Sequence, residues 1–215
     1  MGKTTVYESI RQAILTGQLT PGQSITEEGL SETFHVSRTP VREALIRLEA
    51  EGVVRILKNK GAFVPELTAL DIAEVFDLRI LLEGHAARRC VPFIPRAAAE
   101  EFLGRLQHLA GDETKREEMA EVGLEIHNLI VASAQNTRLS RMIEILRSQI
   151  VWVHSYAAMI PGRIDKSLQE HVEILQAILD RDADRAETAM RRHLENTMHE
   201  VLSAANLPLL SALTR

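Results

Sequence analysis

One cysteine in 215 residues, Cys90, excludes an internal disulfide and any cysteine-rich zinc site. Glycine (11) and proline (7) are sparse, and aromatic residues make up 4% of the chain. With so little turn chemistry and so few strand-favouring rings, a mainly helical protein is expected. No apolar run approaches the roughly 18 residues of a membrane span. The opening MGKTTVYESIRQAIL is amphipathic and lacks the apolar core of a signal peptide. A soluble, cytoplasmic protein without membrane contact is therefore expected.

What the chain does have is enough apolar material for a core: 45% hydrophobic against 26% charged residues, over a length that suits one or two domains. The net charge of −5 is unevenly spread. Residues 1–65 carry 8 basic and 7 acidic side chains, and residues 66–215 carry 17 and 23. Between residues 36 and 60, six basic residues stand against three acidic ones. Clustering of this kind decides affinity for DNA better than the total charge does.

Along the chain, Val6, Ile10, Ala13 and Ile14 share one face of a helix over 5–16, ended by Gly17. Pro21-Gly22 marks a turn, and Thr26 caps a second helix that buries Leu30 and Phe34. Ser37 caps a third, whose stripe is Val41, Ala44, Leu45 and Leu48 and whose end is Gly52. Two extended runs, 53–57 and 62–65, flank Lys58-Asn59-Lys60-Gly61 and read as a hairpin. Past Pro65 the pattern is purely helical. Thr68 and Asp71 form a capping box that starts a helix reaching Cys90, and five more helices fit 96–110, 114–134, 139–158, 163–181 and 183–204. Short connections between them suit an antiparallel bundle. The expected fold is thus mainly α: a first domain of residues 1–66 with three helices and a hairpin, and a second domain of residues 67–215 that is an all-helical antiparallel bundle.

The third helix begins Ser-Arg-Thr-Pro-Val-Arg-Glu-Ala-Leu at residues 37–45. Arg38 and Arg42 are four apart and stack on one face beside Thr39, with the apolar stripe opposite. Guanidinium groups at the N-terminal end of a helix suit a major groove, where an arginine reads guanine by a two-bond fork and the helix terminus favours phosphate. An ordinary amphipathic surface helix would look the same in isolation. Its context, helix, helix, helix, hairpin, is the winged helix-turn-helix order. Lys58 and Lys60 at the hairpin tip would meet phosphate or the minor groove, with Gly61 allowing close backbone approach. Residues 19–64 resemble the DNA-binding domain of the GntR family of bacterial transcription regulators, most specifically through VSRTPVREAL. The departure is His35, where that family usually has glycine between the two helices. The resemblance implies that Arg38, Thr39 and Arg42, with Ser37, contact DNA. It also implies a homodimer on a palindromic operator, since one recognition helix covers only a few base pairs.

Three of the eight histidines, His127, His171 and His193, stand beside apolar stripes on three different expected helices. Hydrogen-bonded core histidines and a ligand set for zinc, nickel or manganese both fit that placement. The helix order, the run Asp77-Leu-Arg-Ile-Leu-Leu-Glu83 and the three histidine settings resemble the FCD ligand-binding domain of the FadR branch of GntR regulators. That resemblance implies a divalent metal held by three histidines and one aspartate, which helps to bind an organic acid. His127, His171 and His193 match the histidines, and Gly123 stands where the aspartate is expected. Water or the effector would complete the site, and Gly123→Asp should raise metal affinity. Arg79 either pairs with Glu83 one helical turn on or faces a carboxylate effector in the pocket. Asn128 is a weaker effector candidate. Asn136 reads as a cap, Cys90 as a buried small residue, and Trp152 and Met159 as packing residues. The apolar tail 207–210 would dock on the bundle or on a second subunit. These readings together favour a transcription regulator, in this family usually a repressor, responsive to a small carboxylate, and not an enzyme. The competing readings are a metal-dependent enzyme, for which no dedicated general base stands near the histidines, and a helical interaction protein.

Overall fold

A computed structural model describes residues 5–15, 18–19, 22–50, 54–57, 61–64 and 68–204. Gly17, Pro21, Gly52, Lys58, Lys60, Pro65 and the tail 207–210 lie outside the described residues. The chain divides into two compact units, Met1–Leu67 with Ile145–Trp152, and Thr68–Glu144 with Val153–Arg215.

The first unit holds α1 (Val6–Leu15), β1 (Ser24–Ile25), α2 (Glu27–Phe34), α3 (Arg38–Ala50), β2 (Arg55–Leu57) and β3 (Gly61–Phe63). Thr26 caps α2 by accepting from the Gly29 amide at 3.0 Å. His35 ends α2 in the left-handed conformation, φ 53° and ψ 46°, a backbone that glycine takes freely and histidine tolerates. The core joins Ile10 and Ile14 of α1, Leu30 of α2, and Val41, Leu45 and Leu48 of α3. Val54 and Ala62 close it from the sheet side.

Three antiparallel strands make the sheet, in the order β1-β3-β2. Strands β2 and β3 form the expected hairpin, pairing Arg55 with Phe63 and Leu57 with Gly61. The third strand is a correction to the two-stranded expectation: Ser24 pairs with Phe63 and Ile25 with Ala62. Two residues leave no periodicity to read. Gly61 has φ 82°, and a Cβ there would stand 3.1 Å from the Ile25 carbonyl oxygen. Its glycine is therefore required by the turn and by the third strand.

The second unit holds α4 (Ala69–Cys90), α5 (Arg96–Leu109), α6 (Arg116–Ser133), α8 (Arg163–Leu179), α9 (Ala183–Ala204) and both ends of α7 (Thr137–Met159), whose residues 145–152 are counted with the first unit. A short 3-10 turn at Glu113–Lys115 precedes α6. Thr68 and Asp71 form the expected capping box, each side chain accepting from the other's amide. Asn136 caps α7 by accepting from the Leu139 amide at 3.2 Å. The α9 helix packs along α4 and α8, and α6 packs on α4, α5 and α8. Phe76 of α4, Ile126 and Ile130 of α6, and Ile174 and Ile178 of α8 are fully enclosed. Cys90 is also buried, its thiol donating to the Ala87 carbonyl at 3.1 Å. Burial pushes that thiol up to about 12. Met159 departs from its expected packing role: it ends α7 at 72% exposure.

Candidate functional site

The polar end of α3 presents Ser37, Arg38, Thr39 and Arg42 to solvent, while Val41, Ala44, Leu45 and Leu48 are buried behind them. This is the face the sequence spacing implies. Neither arginine is idle there. Arg38 pairs with Glu28, and Arg42 Nε donates to Glu27 Oε1 at 2.9 Å. Both acidic residues lie in the first turn of α2, where the helix dipole favours them. These pairs are exposed, so each is worth little and can be exchanged for phosphate or a base edge.

In the second unit, α6, α8 and α9 bring His127, His171 and His193 together, and all three are buried. His127 Nε2 lies 3.2 Å from His193 Nε2 and 3.2 Å from His171 Nε2. Ring centroids are 4.5–5.2 Å apart. The other nitrogens explain the aim. His127 Nδ1 donates to Glu83 Oε2 at 2.5 Å, and His193 Nδ1 donates to Glu170 Oε2 at 2.7 Å. An ionised carboxylate accepts only, so each Nδ1 carries a proton, and Nε2 is the nitrogen that a neutral ring would offer to a metal. Two Nε2 lone pairs facing each other at 3.2 Å would be relieved by a cation between them.

Each carboxylate is in turn held by a buried arginine. Arg79 Nε donates to Glu83 Oε1 at 2.6 Å, one helical turn away on α4. Arg163, at the start of α8, pairs with Glu170 and donates to Thr197 Oγ1 at 2.7 Å. Burial pushes the Glu83 carboxyl up, but Arg79 and His127 outweigh it and hold it well below the ordinary carboxylate range. His171 and His193 are held well below the usual imidazole value, first by burial and then by the neighbouring imidazoles. Neutral rings are what a metal requires.

These residues fit a divalent metal. Three nitrogens about 2.0–2.1 Å from a tetrahedral zinc would stand roughly 3.3 Å apart; the two pairs that His127 makes are at 3.2 Å, and all three ligand atoms lie within 4.8 Å of one another. The carboxylate–histidine partners supply the second layer that such ligands usually have. His171 is the exception, because its Nδ1 is buried without a hydrogen-bond partner among the described residues.

A pocket with about 500 Å³ of empty space, part of it open to solvent, adjoins the three rings. Arg79 lines it and also pairs with Glu83, so the ion pair and a place in the pocket wall occur together in that residue. The pair is not an exposed one, with side chains 4% and 2% accessible. Gly123 also lines the pocket. A Cβ there would lie 2.9 Å from His171 Cε1 and 3.8 Å from His154 Nε2. The expectation that Gly123→Asp strengthens metal binding is revised accordingly, since the space an aspartate needs is taken by imidazoles. Asn128 is corrected as well: it is exposed and absent from the pocket wall, because one residue past His127 a helix has turned about 100° away.

Glu83, Glu170, Arg163 and His154 were not singled out as site residues from sequence. Glu170 directly precedes His171, and Glu83 lies on the same face as buried Phe76 and Arg79. A charged residue on an apolar stripe was the available signal. Nothing in the sequence around His154 marks it.

Comparison with known proteins gives two family matches. Residues 3–64 match the family described as bacterial regulatory proteins, gntR family, and residues 74–196 match the FCD domain. The chain is 26% identical over 198 residues to the HTH-type transcriptional repressor RspR of Escherichia coli (strain K12), covering 91% of this chain and 87% of the relative. It is 30% identical over 186 residues to the Nta operon transcriptional regulator of Aminobacter aminovorans, covering 85% and 86%. Among solved structures, E. coli McbR/YncC superimposes with a TM-score of 0.75 at 22% identity, over 94% of this chain and 97% of that one, which shows a shared fold.

Proposed function

The chain belongs to the gntR family of bacterial regulatory proteins and carries its FCD domain, and from that premise we propose a repressor whose operator binding is set by a metal-assisted organic-acid site. That it is a DNA-binding transcription regulator, and not an enzyme, follows from the family. The repressor sign, the effector and the metal are the proposed part. Residues 1–66 act as the DNA-binding domain and residues 67–215 as the effector domain of a cytoplasmic homodimer.

On DNA, Arg38 and Arg42 leave Glu28 and Glu27 for base edges, Thr39 and Ser37 contact the backbone or bases, and Lys58, Lys60 and Gly61 support them from the wing. The two-fold symmetry of the dimer is mirrored in a palindromic operator. In the effector domain, His127, His171 and His193 hold one divalent ion, and Glu83 and Glu170 fix the tautomers that make this possible. When bound, the ion supplies positive charge and an open coordination side to an anionic ligand. Arg79 and Arg163 balance Glu83 and Glu170 in charge, so a bound divalent ion leaves the pocket net positive. That charge favours a small carboxylate, with the Nη groups of Arg79 as an additional donor.

The observation that carries this reading is the convergence of three imidazole Nε2 atoms, two of them with Nδ1 hydrogen-bonded to a carboxylate, Glu83 buried and Glu170 half-buried. The test is operator selection from genomic fragments, followed by titration of the selected duplex at several salt concentrations. Metal-loaded protein is then challenged with a panel of small organic acids. Sequence-specific, salt-dependent binding that one acid weakens supports the proposal. Binding that no acid alters would remove the effector half, and binding without sequence preference would remove the operator half.

A further inference from the structure

The proposed site leaves two polar edges at one wall of the pocket, beside Gly123. His171 turns its unpartnered Nδ1 and its Cε1 toward Gly123, and His154 on α7 brings its Nε2 to within 3.8 Å of the point a Cβ would occupy there. His154 is half-buried, lines the pocket and makes no hydrogen bond to a described residue. It stands outside the tight group formed by His127, His171 and His193, whose ligand atoms lie within 4.8 Å of one another. We infer that His154 is a recognition residue for the ligand that completes this site: its Nε2–H donates to a carboxylate oxygen of an effector seated in the pocket that His154, Arg79 and the three converging histidines line together. The inference rests on the metal reading given above.

Three features favour this role over that of a fourth protein ligand. His154 lines the same pocket as the three converging nitrogens but stands outside their close group. Its imidazole has no carboxylate behind it, unlike His127 and His193, so nothing orients it as a ligand. Arg79 lines the same pocket with one nitrogen committed to Glu83. A neutral imidazole donor beside it would hold a carboxylate by a second, differently directed bond. The chemical class selected is therefore a small acid with one oxygen directed to the metal and a neighbouring oxygen directed to His154.

The experiment uses the full chain loaded with cobalt(II), with acetate as the probe, read by the visible ligand-field spectrum. Wild type, His154→Ala, His154→Gln and His127→Ala are compared for cobalt affinity and for acetate affinity. Loss of one charge-assisted hydrogen bond should weaken acetate about tenfold or more in His154→Ala. His154→Gln, which keeps an N–H donor, should recover part of that loss. Cobalt affinity should change by less than about threefold in both, whereas His127→Ala should lose cobalt outright. Unchanged acetate affinity in His154→Ala overturns the inference. So does a fall in cobalt affinity matching that of His127→Ala, which would make His154 a metal ligand. Failure of the wild type to bind cobalt would instead overturn the underlying metal reading.

Discussion

A methyl group placed at Gly123 probes how tightly the imidazoles are set. The Cβ of Gly123→Ala would fall 2.9 Å from His171 Cε1 and 3.5 Å from His171 Nδ1. Carbon atoms in contact settle at about 3.5–4.0 Å, so the ring has to retreat by roughly 0.5–1 Å. Overpacking of this kind costs about 1–3 kcal/mol. Replacing glycine by alanine inside a helix returns about 0.8–1.0 kcal/mol. The net change expected is between roughly zero and 2 kcal/mol of destabilisation. Metal binding should suffer more than folding, because a ligand atom is tolerated only within about 0.2 Å of its place. Gly104→Ala in α5 is the matched control, since nothing lies within 4 Å of its Cβ. It should gain close to the full helix-propensity term. Urea unfolding of the metal-free proteins and a metal titration measure the two quantities. The reasoning fails if Gly123→Ala is as stabilising as Gly104→Ala and binds metal with wild-type affinity.

Other changes separate the parts of the account. Glu83→Gln leaves Arg79 charged and buried, which should destabilise the chain by about 3–5 kcal/mol and weaken metal binding 10–100-fold; a stability change within 0.5 kcal/mol by the same unfolding assay would contradict it. Arg38→Ala and Arg42→Ala should each lose about 1–3 kcal/mol of operator affinity with little effect on thermal stability, and equal binding to operator by anisotropy would refute their role. For Cys90 the folded-state value, pushed up to about 12, lies above the ordinary thiol value. Its contribution to stability is whole below pH of about 8.5 and is lost as pH rises from there toward 12, by about 1.4 kcal/mol per unit. Cys90→Ala should flatten that alkaline limb, and rapid alkylation of folded wild type at pH 8 would speak against it.

Much of the DNA-binding unit was legible because its rules are local. The capping Thr26, the left-handed His35 and the spacing of Arg38 and Arg42 act within a turn of themselves. Strand β1 was not legible, since two residues pair only because β3 offers an edge. In the bundle, helix limits and caps followed from the sequence, as Thr68, Asp71 and Asn136 show. The site was half visible. The three histidines announced themselves by type, but Glu83 looked like one end of an exposed surface pair until burial made it the partner of His127. His154 and the crowding over Gly123 depend on how α7 and α8 lie beside α6, which no spacing along one helix encodes. Asn128 went astray for the opposite reason: adjacency to His127 in sequence puts it on another face.

The most direct test of the central claim is titration of metal-free, full-length protein with nickel or zinc, alongside His127→Ala, His171→Ala and His193→Ala. The account expects one ion per chain in the wild type, no tight binding in any of the three variants, and a rise in wild-type thermal stability that grows with metal concentration. Absence of binding in the wild type, or undiminished binding in all three variants, would contradict it and leave the converging imidazoles as packing alone.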